Sequence, residues 1–188
     1  TSAKLIGNAM KYLVEDQDLQ SRLRADPKLI MPFLEEILRL EGSTKQTARL
    51  ARKDTKIGDV VIPAGTKILV ALSAANRDPR RWDDANELIL GRKKIVEHLG
   101  FGRGKHVCAG APLARVEVRV ILEKFLAMTS KIELDHSQHP TGVSGLCYEP
   151  SFIIRGLEKM YLKLRPAQDF VAPTPKEKAV KAPSVQTW

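Results

Sequence analysis

The chain is poor in aromatics and in cysteine. Phe, Trp and Tyr make up 5% of its 188 residues, and it carries two thiols, Cys108 and Cys147. Two cysteines far apart in unlike settings do not build the disulfide framework of a small secreted domain. Runs of apolar residues are short: none could span a bilayer, and no signal peptide is visible. The expected location is therefore the cytoplasm, with no membrane segment. Short blocks of Lys and Arg interleaved with aromatics are also missing. That argues against a nucleic-acid partner, despite a formal net charge of +9. The chain has no internal repeats.

What is present suffices for one folded domain, because 43% of the residues are hydrophobic. The apolar residues fall mainly at helical spacing. Thr1 to Asp16 reads as a helix with Leu5, Ile6, Ala9, Met10, Leu13 and Val14 on one stripe. Gln17 to Ala25 forms a second helix, stopped by Asp26-Pro27. Lys28 to Leu40 forms a third, with Pro32 in its first turn and its true start near Met31. Glu36 and Arg39 lie three apart on it, and spacing alone makes them a surface ion pair.

The period then changes. Asp54 to Asp59 reads as a turn, Val60 to Ile62 as a strand, Pro63-Ala64-Gly65-Thr66 as a tight turn and Lys67 to Leu72 as a second strand. Arg80 to Leu99 has little periodicity and reads as a long loop, a feature that usually has a functional reason. A helix from Ala111 to Met128 follows. It carries two apolar stripes, Ala114, Val118, Ile121 and Phe125 on one and Leu113, Val116 and Val120 on the other, which predicts burial on both sides. Lys131 to Leu134 reads as a strand, Phe152 to Leu164 as a terminal β-hairpin, and residues 166–188 as a disordered tail. The fold class is mainly α with small β-hairpins, α+β.

Chemistry concentrates in Phe101-Gly102-Arg103-Gly104-Lys105-His106-Val107-Cys108-Ala109-Gly110. Cys108 lies just before a helix whose free N–H groups and dipole favour negative charge. Zinc would need further Cys or His ligands at paired spacings. His106 is one residue removed, and His98 and Cys147 have no close partner. A catalytic nucleophile needs a base and an oxyanion hole, and a Cys–His pair two apart on a loop points two ways. A buried, inert cysteine, the expectation for Cys147, leaves the surrounding glycines of Cys108 unexplained. A flat, large cofactor accounts for them better. Heme iron takes one axial thiolate at the lip of a loop whose small residues let the macrocycle approach.

Phe101, Gly104, Cys108 and Gly110 resemble the heme-thiolate signature of the cytochrome P450 family, Phe-x-x-Gly-x-x-x-Cys-x-Gly, and Leu113-Ala114-Arg115 resembles its continuation. Glu36-Ile37-Leu38-Arg39 is similar to the family's Glu-x-x-Arg helix, and Asn76-Arg77-Asp78-Pro79 to the soluble bacterial type. The resemblance covers residues 1–165 and implies the C-terminal part of the P450 fold, starting inside its long central helix. It implies heme b bound through Cys108, with Phe101, Gly102 and Gly110 against it and Arg49 and His106 on its propionates. It turns Glu36, Arg39 and Arg92 into a buried network, and makes Thr1 the oxygen-activating threonine. Substrate would meet Thr44, Thr47, Ala48 and Ile154. Here the chain departs from relatives, with Ser43, Thr44 and Lys45 where they carry proline and apolar residues. The implied activity is monooxygenation of a small, hydrophobic substrate by O2. Electrons would come from a ferredoxin or flavodoxin docking on Arg103, Lys105, Arg115 and Arg119, since no flavin or iron–sulfur motif is visible. A reading of a different class is a truncated, non-catalytic chain that holds heme weakly or not at all.

Overall fold

The computed structural model describes residues 1–168. Three longer helices form the centre: α1 (Ser2–Glu15), α3 (Ile30–Glu41) and α5 (Ala111–Met128). Helix α2 (Gln17–Ala25) turns off α1 at Asp16, whose carboxylate accepts the Leu19 N–H at 2.9 Å and caps α2. A 3-10 turn, Pro27–Leu29, leads into α3. The helix therefore starts at Ile30, with Pro32 in its first turn, where the missing N–H has no partner to lose.

The stripes predicted for α1 and α3 meet. Leu5, Ala9, Met10 and Leu13 pack with Phe33, Leu34, Ile37 and Leu38, and α5 adds Val118, Leu122 and Leu126. Burying each such side chain fully contributes about 1.5–3 kcal/mol. The second stripe of α5 is a correction: Leu113 and Val116 stand open, at 62% and 50% exposure, and Val120 is exposed too. Periodicity reports that a face is apolar, and among the described residues nothing packs on this one.

The strands pair differently from the sequence reading. β1 (Thr47–Leu50) pairs antiparallel with β4 (Lys67–Val70), and β2 (Thr55–Ile57) with β3 (Val60–Ile62). The reversal is the two-residue Gly58-Asp59 loop between Ile57 and Val60, with Gly58 at φ +57°. Such a positive φ suits a tight hairpin turn. Pro63 to Thr66 does not reverse the chain between β3 and β4. It is a joint between two stacked ladders, fixed by Ala64 N–H to Asp54 (2.7 Å) and Ala51 N–H to the Thr66 carbonyl (2.9 Å). β4 ends at Val70, two residues before the expected Leu72, which instead opens a short helix, α4 (Leu72–Ala75).

The terminal hairpin is likewise corrected. β6 (Leu162–Pro166) pairs with β5 (Thr129–Leu134), not with residues 152–154. Ile154 instead bridges to Thr44, and the Lys45 N–H donates to the Ile153 carbonyl at 2.8 Å. Pro166 ends a strand, so this residue belongs to the sheet rather than to the tail expected over 166–188; residues 169–188 lie outside the described residues. Cys147 is exposed rather than a small buried hydrophobe.

Candidate functional site

Glu36 and Arg39 are not a surface pair. Both side chains are fully buried, joined by two parallel contacts of 2.9 Å each. Arg92 Nε donates to the same carboxylate at 2.9 Å, and the Ile89 N–H at 3.0 Å. The remaining Arg39 donors reach the carbonyls of Asn76 (3.0 Å), Ala85 (2.6 Å) and Glu87 (2.9 Å). Arg92 takes further carbonyls at Asp83, Asp84 and Glu87. Burial pulls the Glu36 carboxyl upward, yet Arg39, the Ile89 amide and Arg92 outweigh it and hold it below the usual carboxylate range. The long loop before the Cys segment is thus ordered by one buried ion cluster on α3.

That loop delivers the Cys segment to a cavity of about 400 Å³. Cys108, Phe101, Gly102, Arg103 and His106 line one side. Thr1, Ser43, Thr44, Thr47 and Arg49 line another, and Leu5, Leu38, Val70 and Leu72 give it apolar wall. The loop closes on itself: Gly102 and Gly104 adopt φ of +72° and +81°, and the Cys108 N–H donates to the Phe101 carbonyl at 2.9 Å. Gly110 sits at the α5 N-cap without a side-chain cap, and a methyl there would stand 3.8 Å from Cys108 Sγ. The thiol itself is exposed.

Of the catalytic, cofactor and substrate residues named from the sequence, most line this cavity, and Gly110, Ala48 and Ile154 do not. Thr47 and Arg49 alternate along β1 toward it, so Ala48 between them faces away. Ile154 pairs with Thr44 outside the lining. Thr1 is held there by its carbonyl, which accepts the Ser43 hydroxyl at 3.0 Å. Arg103, read from sequence as part of a docking face, lines the cavity with Arg49 and His106. Arg115 is also corrected. Its guanidinium is spent on Glu35, at 2.6 and 3.1 Å, so it is not a free docking charge.

Sequence reasoning missed Glu35 and gave His98 no role. His98 Nε2 lies 2.9 Å from Glu35 Oε2, and both side chains are buried. The only sequence signal was a second carboxylate beside Glu36 on an apolar-striped helix.

The residues around the cavity suit a heme. The thiol is open, Gly102 lines the cavity without a side chain, and Arg49 meets only the Thr47 hydroxyl and its neighbour's carbonyl, at 3.2 and 2.8 Å. Among the described residues no carboxylate pairs with Arg49, Arg103 or His106, which leaves these donors available to an anionic ligand.

An open cysteine on a glycine-bent loop, backed by a buried Glu–Arg cluster in a helical fold, is the arrangement expected of the heme-thiolate class. The chain belongs to the cytochrome P450 family, whose description matches residues 2–140. It is 35% identical over 165 residues to cytochrome P450 144 of Mycobacterium tuberculosis, covering 88% of this chain and 36% of that protein. It is 36% identical over 166 residues to the cytochrome P450 monooxygenase PikC of Streptomyces venezuelae, covering 88% and 38%. Among solved structures, substrate-free CYP150A6 of Mycobacterium marinum superposes with a TM-score of 0.85 at 44% identity, covering 89% and 41%. The chain therefore spans about two fifths of the length of these relatives. Among the described residues no helix is long and apolar enough to cross a membrane.

Proposed function

We propose that the chain carries the heme-thiolate face of a monooxygenase that inserts one oxygen atom of O2 into a small, hydrophobic organic substrate. The observation that carries this reading is Cys108, an exposed thiol in a cavity whose cationic rim has no carboxylate of its own. Cys108 would hold the iron of heme b, and Arg49, Arg103 and His106 would pair with its propionates. When bound, heme would supply the O2-activating redox chemistry, and the Cys108 thiolate would tune it by donating electron density.

The chain's own residues do the rest. Leu5, Leu38, Val70 and Leu72 exclude water from the reacting side. Thr1 holds a water by its hydroxyl and relays protons into the cavity, its backbone steadied by Ser43. Thr44 and Thr47 offer hydroxyls to the cavity, which favours a substrate with at least one polar handle. The second oxygen atom leaves as water, so each turnover takes two electrons and two protons. A ferredoxin- or flavodoxin-type partner supplies the electrons. With Arg115 engaged by Glu35, the steering charges are Lys105 and the exposed Arg119, which meets Glu123 only loosely at 3.8 Å, with Arg103 at the cavity edge. A cytoplasmic setting fits two thiols that form no disulfide.

The test is spectroscopic. The heme-loaded protein, reduced and exposed to carbon monoxide, should show the red-shifted Soret band of a thiolate-ligated heme, and Cys108→Ser should lose it. A wild-type protein that binds heme without that band overturns the reading.

A further inference from the structure

The Glu36 cluster orders the long loop but does not touch the Cys segment. A second buried ionic cluster does. Glu35, one residue earlier on α3, projects about 100° around the helix from Glu36 and accepts from two elements at once. Arg115 of α5 donates through Nε at 2.6 Å and through its terminal nitrogen at 3.1 Å. His98 stands 2.9 Å from the Glu35 Oε2 oxygen. The Gly100 N–H donates to His98 Nδ1 at 3.0 Å, which leaves the ring proton on Nε2, donating to Glu35.

One arm ends on the Cys segment and the other on Gly100, the residue just before it. Through His98 the cluster grips the backbone at Gly100. A methyl on Gly100 would stand 2.8 Å from the Leu38 carbonyl of α3 and 3.1 Å from the His98 ring, so only glycine lets the loop lie this close. Through Arg115 it grips Phe101: the guanidinium stacks on that ring, 4.7 Å from its centre. The carbonyl of Phe101 in turn accepts the Cys108 N–H at 2.9 Å. The path from carboxylate to thiol thus runs through one hydrogen-bonded His, one stacked Arg and one backbone bond.

We propose that Glu35, His98 and Arg115 are positioning residues for the thiolate, a clamp that fixes the Cys108 loop between α3 and α5. This rests on the reading of Cys108 as the heme ligand, but the clamp itself acts on the backbone whether or not heme is bound. It makes the ligand loop rigid at its start, where Gly102 and Gly104 would otherwise leave it free. Two neighbouring carboxylates thereby serve different segments. Glu36 holds the preceding loop, and Glu35 holds the ligand.

Arg115→Lys is the primary variant. Its side chain is 28% exposed, so lysine can keep its charge in water while losing the fork and the stacking. Amide hydrogen exchange should rise at least about tenfold over residues 100–108, with residues 33–39 of α3 unchanged. Glu35→Gln, which sets an amide donor against existing donors, should show a larger rise. In the heme-loaded protein both variants should convert part of the reduced carbon monoxide complex from the thiolate to the neutral-thiol spectrum. Arg119→Lys, one turn further along α5, should change neither readout. If residues 100–108 of Arg115→Lys exchange at the wild-type rate, the clamp is overturned. If exchange rises but the wild type itself lacks the thiolate band, the ligand reading has failed and the clamp stands.

Discussion

Two sets of cations flank the Cys segment, and they live differently. Arg39 and Arg92 are buried, and carboxylate and carbonyl oxygens of the chain take their donors. Arg49, Arg103 and His106 stand exposed around a cavity, with no carboxylate of the described residues beside them. A cation satisfied inside the chain serves the fold, because leaving its partner bare in the interior is costly. A cation left open on a concave wall serves a ligand. The same residue types therefore predict opposite consequences when removed.

The largest effect belongs to the buried set. Arg39→Ala removes the two-pronged partner of buried Glu36, leaves it only Arg92 and the Ile89 N–H, and should destabilise the protein by about 3–5 kcal/mol; denaturant unfolding reads it. Arg49→Gln, by contrast, should move the unfolding midpoint little while heme is lost faster. Equal destabilisation by the two substitutions would break the comparison. Next comes Gly100→Ala, whose methyl meets the Leu38 carbonyl at 2.8 Å. Crowding against backbone costs about 1–3 kcal/mol, again measured by unfolding. No loss would mean the loop sits further from α3.

A third effect depends on pH. Burial raises the Glu35 carboxyl, but hydrogen bonds from His98 and Arg115 overcome it and bring it down to about 2, from the usual 4.5. Because the folded value lies below the unfolded one, this stabilisation is complete above pH 4.5 and fades as pH falls toward 2. Stability measured across that window should drop with acid in the wild type, and Glu35→Gln should flatten part of the slope. The smallest stability effect is at the surface. Lys105→Gln with Arg119→Gln should leave the unfolding midpoint within about 0.5 kcal/mol. Electron delivery from an acidic partner should slow more at low salt than at high salt, and equal slowing at both would remove these residues from docking.

The helices and the Cys segment were legible because their signals are local. Leu5, Ala9 and Leu13 repeat at helical spacing, and the glycines, Cys108 and Pro112 sit within one short stretch. Pairings across distance were not legible. Gly58-Asp59 and Pro63 to Thr66 both read as turns, and only packing decides that the first reverses the chain and the second joins two ladders. Glu35 lies 63 residues from His98 and 80 from Arg115, so no spacing links them. The open stripe of α5 failed for another reason: Leu113, Val116 and Val120 show what that face prefers, not what the described residues provide. The resemblance to the P450 family recovered Glu36, Arg39 and Arg92 where spacing alone gave a surface pair, because it added a third member far along the chain.

The central claim is that Cys108 faces a ligand rather than the core. It is tested most directly by unfolding wild type and Cys108→Ser, each with and without heme. Anything that binds only the folded state raises the midpoint. The expected result is equal midpoints for the two proteins without heme, and a heme-dependent rise in the wild type that is mostly lost in Cys108→Ser. A serine variant that heme stabilises as much as the wild type, or one already unfolded without heme, would contradict it.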